Sequence, residues 1–196
     1  MVILASASPR RRELLRRLVR DFDVVPADVD ETLDGPPTPA AIEEVALRKA
    51  RAVAARAGRG IVVAADTVVV LDGEALGKPS DAAHARAMLR RLRGRRHQVV
   101  TGVAVVDAAT GRERSTAVVS EVTMAPCDDA TIDRYVAGGE PLDKAGAYAI
   151  QGAGRRLVAA WSGSFSNIVG LPVDETRRLL AAFGVPVSEA PADPAP

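Results

Sequence analysis

The 196-residue chain has one cysteine, few aromatic residues and no excess of charge. The single thiol, Cys127, excludes an internal disulfide framework and any metal site built from several cysteines. It reads as a small neutral packing residue. Aromatic residues make up 3%, too few for the stacking platforms that hold single-stranded nucleic acid. Lys+Arg is 26 against 25 Asp+Glu, a net charge of +1, so the bulk basic field of a nucleic-acid or membrane-surface binder is missing. His84 and His97 are far apart and give no paired-histidine zinc spacing. No G-x-S-x-G elbow surrounds Ser162, Ser164 or Ser166. The longest apolar run, 61–71, is interrupted by Asp66 and Thr67 and is too short and polar to span a bilayer. No basic segment precedes Val2-Ile3-Leu4-Ala5, so a soluble, cytoplasmic protein without a signal peptide is expected.

What remains is enough for a core: 47% of residues are hydrophobic and 26% charged. One domain over 1–187 is expected. The tail, 188–196, carries three of the thirteen prolines in its last six residues and is expected to be disordered. Strand-like and helix-like segments alternate. Short strands are expected at 2–5 and 22–29, helices at 9–20 and from Pro39 to about Ala57, and a buried strand at 61–71 closed by an Asp72-Gly73 turn. A helix at 81–93 follows, then a hairpin of strands 98–106 and 115–124, and helices at 128–137 and 174–183. Residues 140–170 read as loop and short strands. The alternation argues α/β, and the hairpin makes the sheet mixed.

Three places break local rules. The first turn of the first helix carries Arg10, Arg11 and Arg12 behind an N-cap Ser8 and an N1 Pro9. Cations at that positive helix end cost about 0.3–1 kcal/mol each, unless an anion sits there to meet them and the free backbone N–H groups. The second is Lys49, near the middle of an apolar helical stripe formed by Ile42, Val45, Ala46 and Val53; it must snorkel or meet an anion. Of the 26 basic residues only Lys49, Lys78 and Lys144 are lysine, each in a segment unusual on other grounds. The third is Asp66, a carboxylate inside an otherwise apolar strand, where it is costly unless paired or bound to metal; general base and metal ligand are its candidate roles. The cluster Asp28, Asp30, Glu31 could add oxygen ligands for Mg²⁺ or Mn²⁺. Trp161 and Phe165 read as core or as a wall of a substrate site. Together these residues fit metal-dependent chemistry on a polyphosphate.

The segments ILASASPRR (3–11), AADTVV (64–69), LGKP (76–79), GRRHQVVTGVAV (94–105), DKAGAYAIQG (143–152) and SNIVGLP (166–172) resemble the Maf family, the septum-formation-inhibitor proteins, which are nucleoside triphosphate pyrophosphatases. The resemblance runs in order from Val2 to Phe183. It implies a single elongated α/β domain with a mixed, strongly twisted sheet and a deep cleft, akin to inosine triphosphate pyrophosphatases. It implies hydrolysis of the α–β phosphoanhydride with Mg²⁺ or Mn²⁺, a homodimer, and no nucleic-acid or membrane partner. The family's proton acceptor falls on Asp66, its phosphate-binding residues on Ser8, Arg11, Lys49 and Lys78, and its early acidic residue, a metal ligand beside Asp66, on Glu31. The specificity positions read Arg10, Thr67 and Gln151, a trio that resembles the branch acting on dTTP and UTP. The branch preferring 7-methyl-GTP carries an aromatic residue where Arg10 stands. The competing expectation is a non-catalytic nucleotide-binding regulator of cell division.

Overall fold

The computed structural model describes residues 1–189 and 193–194. The alternation of apolar and polar stretches becomes seven strands, β1 (Val2–Leu4), β2 (Asp23–Val24), β3 (Ile61–Leu71), β4 (Glu74–Leu76), β5 (Arg96–Asp107), β6 (Glu113–Met124) and β7 (Val158–Ser162). Six α-helices accompany them: α1 (Pro9–Arg16), α2 (Pro39–Ala57), α3 (Ala82–Leu92), α4 (Asp129–Ala137), α5 (Phe165–Val169) and α6 (Val173–Ala182). The strands form one sheet in the order β2-β1-β3-β5-β6-β7, with β4 paired to β3. β1 runs parallel to β2 and β3, while β3-β5, β5-β6 and β6-β7 are antiparallel, so the sheet is mixed as expected. Among the described residues no helix is long and apolar enough to cross a membrane.

Strand periodicity of two sorts the core into faces. Ile3, Val62, Ala64, Ala104 and Val106 point to one face and pack under Ala46, Ala50 and Val53 of α2. Val2, Leu4, Val63, Ala65, Val103 and Val105 point to the other and pack under Leu14 and Leu15 of α1 and Leu180 of α6. A further cluster joins the far end of β3 to α3 and α4 through Leu71, Leu89, Leu92 and Ile132. Cys127 packs half-buried against that cluster.

The boundaries differ from expectation in several places, among them 165–169, expected as loop or short strand but folded as helix α5. α1 ends at Arg16, four residues early, because the chain turns there with both Leu18 and Val19 buried. The expected strand at 22–29 shrinks to Asp23–Val24; Pro26, which has no N–H to give, follows closely. β4 was not expected at all. Asp72 and Gly73 both take positive φ, 53° and 79°, the geometry of a tight two-residue hairpin turn, and Glu74 folds back opposite Leu71. Residues 140–157 are built from short 3-10 turns at 140–143, 145–147 and 152–157. The tail expected to be disordered lies partly outside the described residues, at 190–192 and 195–196. Of its described part, the Ser188 N–H donates to the Leu18 carbonyl at 2.9 Å. Asp193 accepts from the Ser164 hydroxyl and from the Ser166 N–H and hydroxyl at 2.8–2.9 Å.

Candidate active site

The alternation of β3 continues past its apolar half and delivers two polar neighbours to opposite faces. Asp66 follows Val62 and Ala64 onto the α2 face, and Thr67 follows Val63 and Ala65 onto the α1 face. Opposite Asp66 in the antiparallel ladder stands Gly102. A Cβ there would lie 2.5 Å from the Ile42 carbonyl oxygen and 2.7 Å from the Glu43 Cα, so the missing side chain is what lets α2 lie against the sheet. Lys49 is on the buried stripe of α2, only 4% exposed, and its Nζ donates to Asp66 Oδ1 at 2.6 Å. The same ammonium pairs with Glu31 Oε1 at 2.8 Å. Burial alone would raise the Glu31 carboxyl, but the hydrogen bond and charge of Lys49, with Lys78 and Arg11 behind it, hold it below its ordinary value. The lysine in the apolar stripe thus meets two anions.

On the other face Thr67 Oγ1 lies 2.9 Å from Thr101 Oγ1 and accepts from Arg11 Nη2 at 3.0 Å. Arg11 also donates from Nε to the Gly170 carbonyl at 2.9 Å and from Nη1 to Ser6 Oγ at 3.3 Å. Burial lowers the Arg11 pKa, against which the charges of Asp66 and Glu31 work. Arg11 is therefore clamped into the wall, unlike its neighbour Arg10, whose Nη1 reaches Asp143 Oδ2 at 3.5 Å. Ser8 is the N-cap of α1 and accepts from the Arg11 N–H at 3.4 Å. Lys78 and Gln151 are exposed and have no hydrogen-bond partner among the described residues.

One cavity of about 710 Å³ is lined by Ser8, Arg10, Arg11, Glu31, Lys49, Asp66, Thr67, Lys78 and Gln151, the nine site residues that the family resemblance implies. Its buried part holds Lys49 and Asp66, and Lys78 and Gln151 stand at its exposed part. Three expectations need correction or sharpening. Asp30 is not part of the site: its carboxylate accepts from the Thr32 N–H at 2.9 Å and the Thr32 hydroxyl at 2.6 Å. Asp28 is likewise absent from the cavity lining, so Glu31 alone of that cluster contributes. Trp161 and Phe165 pack on one another, with ring centroids 5.6 Å apart, against the core rather than the cavity. Sequence reasoning missed Ser6, Thr101, Asp143 and Tyr148. Thr101 carried a signal in retrospect, being fully buried within an apolar strand.

Among the described residues no cluster of three or more His, Cys, Asp or Glu side chains offers a metal cage. The two carboxylates that meet on Lys49 do suit a hard divalent ion, which keeps several waters and takes one or two protein carboxylates together with phosphate oxygens. A cavity with guanidinium and ammonium groups around a buried carboxylate defines a protein of phosphate-ester or phosphoanhydride chemistry on an α/β scaffold. The Maf-like protein family model matches residues 1–183, and the chain belongs to that family. It is 54% identical, over 95% of both chains, to the dTTP/UTP pyrophosphatase of Anaeromyxobacter dehalogenans. It is 52% identical to that of Moorella thermoacetica, over 95% of this chain and 96% of the relative. The Symbiobacterium thermophilum dTTP/UTP pyrophosphatase is 50% identical over 95% of both. Among solved structures, the Staphylococcus aureus Ham1 protein aligns with a TM-score of 0.47 and 21% identity, covering 63% of this chain and 71% of its own.

Proposed function

We propose that the chain is a pyrophosphatase of dTTP and UTP, releasing the nucleoside monophosphate and pyrophosphate. The observation that carries this reading is the buried Lys49–Asp66 pair, 2.6 Å apart, on the wall of a cavity otherwise rich in basic groups. A phosphate binder that takes no metal gains nothing from a carboxylate beside its anion. The names of relatives at about half identity support the same substrates.

Lys49 holds Asp66 by Oδ1, which leaves Oδ2 as the proton acceptor for an attacking water. The water oxygen bonds to the α-phosphorus as the bond to the α–β bridging oxygen breaks, and the electron pair leaves with pyrophosphate. Ser8, with the free N–H groups at the start of α1, and Lys78 bind phosphate oxygens, while clamped Arg11 acts through its fixed positive charge. Glu31 and Asp66 would hold a Mg²⁺ or Mn²⁺ ion, which supplies charge neutralisation on the phosphate oxygens. Gln151 both donates and accepts, which suits the alternating carbonyl and N–H edge of thymine and uracil; Arg10 and Thr67 complete the selection of substrate.

The test is pyrophosphate release from dTTP, UTP, CTP, GTP and 7-methyl-GTP with Mg²⁺ and with Mn²⁺, for the natural chain and Asp66→Asn. Selective turnover of dTTP and UTP is expected, with kcat at least about a hundredfold lower in the variant. Near-normal turnover by Asp66→Asn would overturn its role as proton acceptor. Turnover of 7-methyl-GTP instead would keep the reaction and discard the selectivity. Folded protein that cleaves no triphosphate would be a nucleotide-binding regulator.

A further inference from the structure

Glu140 lies outside the hydrolysis chemistry, yet it holds together one side of the cavity. Its carboxylate accepts from the Ala153 N–H through Oε2 at 3.1 Å and from the Gly154 N–H through Oε1 at 3.3 Å. These are the second and third residues after Gln151, so the turn that carries Gln151 is pinned by this one side chain. The Tyr135 hydroxyl donates to the same Oε1 at 3.3 Å while accepting from the Ala149 N–H at 3.2 Å. The wrap is close. A Cβ on Gly154 would lie 2.3 Å from the Ala149 carbonyl oxygen, and one on Gly152, where φ is +68°, would lie 3.3 Å from Glu140 Oε2.

The backbone carbonyl of Glu140 accepts from Lys144 Nζ at 2.6 Å. That ammonium, on a side chain 11% exposed, also pairs with Asp143 Oδ1 at 2.6 Å. The other Asp143 oxygen faces Arg10 across the cavity. A continuous run of contacts therefore joins Gln151 to Arg10, passing through the third of the chain's three lysines. The hydrolysis uses none of Glu140, Lys144 or Asp143.

We infer that Glu140, Lys144 and Asp143 are positioning residues for base selection, setting Arg10 and Gln151 at the separation a pyrimidine triphosphate requires. The inference rests on the reading that Arg10 and Gln151 select the substrate. Lys144 and Arg10 flank the Asp143 carboxylate: burial pushes that carboxyl up, and the Lys144 hydrogen bond and charge with Arg10 bring it below its ordinary value. Asp143 gives Arg10 an anionic partner at 3.5 Å, which biases where its guanidinium stands. With the Glu140 carboxylate in place, Gln151 cannot swing with its loop.

The experiment compares kcat and KM for dTTP and for CTP in Asp143→Asn, Lys144→Gln, Lys144→Arg and Glu140→Gln, with Gln151→Ala as a reference. The Asp143 side chain is 64% exposed, so Asp143→Asn keeps the fold testable where substitution of buried Lys144 or of Glu140 costs stability. The expected result is a dTTP-over-CTP ratio of kcat/KM reduced about tenfold in Asp143→Asn and Lys144→Gln, arising chiefly in the KM for dTTP, with Lys144→Arg retaining more of the ratio than Lys144→Gln. An unchanged ratio, or a parallel loss with both substrates, overturns the positioning role and leaves a structural one. If Gln151→Ala keeps the natural ratio, the assignment of Gln151 itself fails, and this inference falls with it.

Discussion

Lys49 shows how much one misplaced side chain can say. On the α2 stripe every neighbour is apolar, so an ammonium there is costly unless anions meet it, and two do. Such a buried pair is weak evidence of net stability, but removing one partner strands the other charge at roughly 3–5 kcal/mol. Lys49→Met is therefore expected to lose activity and to unfold at lower denaturant. Lys49→Met combined with Asp66→Asn is expected to recover a good part of the stability and none of the activity. Urea midpoints of the two single variants and the double variant check this, and strictly additive losses would show that the pair is not coupled. Arg11 makes the complementary point. Its guanidinium serves Ser6, Thr67 and Gly170 at once, a fork that an ammonium cannot reproduce. Arg11→Lys keeps the charge yet is expected to cost about 1–3 kcal/mol in thermal or urea unfolding, because buried acceptors lose their donor.

At the level of elements, the site follows from register. A one-residue slip of β3 would send Asp66 to α1 and Thr67 to α2, separating the carboxylate from Lys49. The register is held by ten consecutive pairings with β5, and among them Gly102 stands opposite Asp66. Gly102→Ala is expected to force α2 away from the sheet at Ile42 and Glu43, since the added carbon meets backbone atoms that cannot turn aside. A loss of about 1–3 kcal/mol or more in unfolding free energy is expected, with activity falling as Lys49 is carried off Asp66. Wild-type stability and turnover in that variant would show that the helix has room to spare. The strand and its buried aspartate were legible in the sequence because an apolar run of eleven residues has few alternatives, and a carboxylate within it is conspicuous. The long helices were legible for similar reasons, with Thr38 and Pro39 at the start of α2 and Gly58 at its end. Residues 140–157 were not legible. Their shape depends on side-chain to backbone bonds from Glu140 and Lys144, which leave no periodic trace. Asp143 was not singled out, and its partner, Arg10, is 133 residues away.

For the molecule as a whole, folding is linked to pH through a buried histidine as well as through carboxylates. His97 on β5 is 3% exposed, with Nε2 2.7 Å from the Tyr148 hydroxyl, and Tyr148 itself lines the cavity. Burial pushes His97 down from 6.5 to about 4, so the native protein keeps it neutral. Its pKa is thus lower in the folded state than in the unfolded chain. Between pH 6.5 and 4 the unfolded chain binds a proton that the native protein refuses, and stability falls as pH falls through that window. Integrated over the window, the loss from this histidine is about 3 kcal/mol, present in full below pH 4 and absent above pH 7. His97→Gln preserves a hydrogen-bonding partner for Tyr148 and removes the titration. Urea unfolding of both proteins at half-unit steps from pH 7.5 to 4.5 isolates the contribution, because the carboxylates are common to both and cancel in the difference. The natural chain is expected to lose stability more steeply than the variant below pH 6.5 and in parallel with it above pH 7. Parallel curves throughout would mean that His97 takes up its proton in the native state, and that the packing between β5 and the Tyr148 side of the cavity opens to admit the charge.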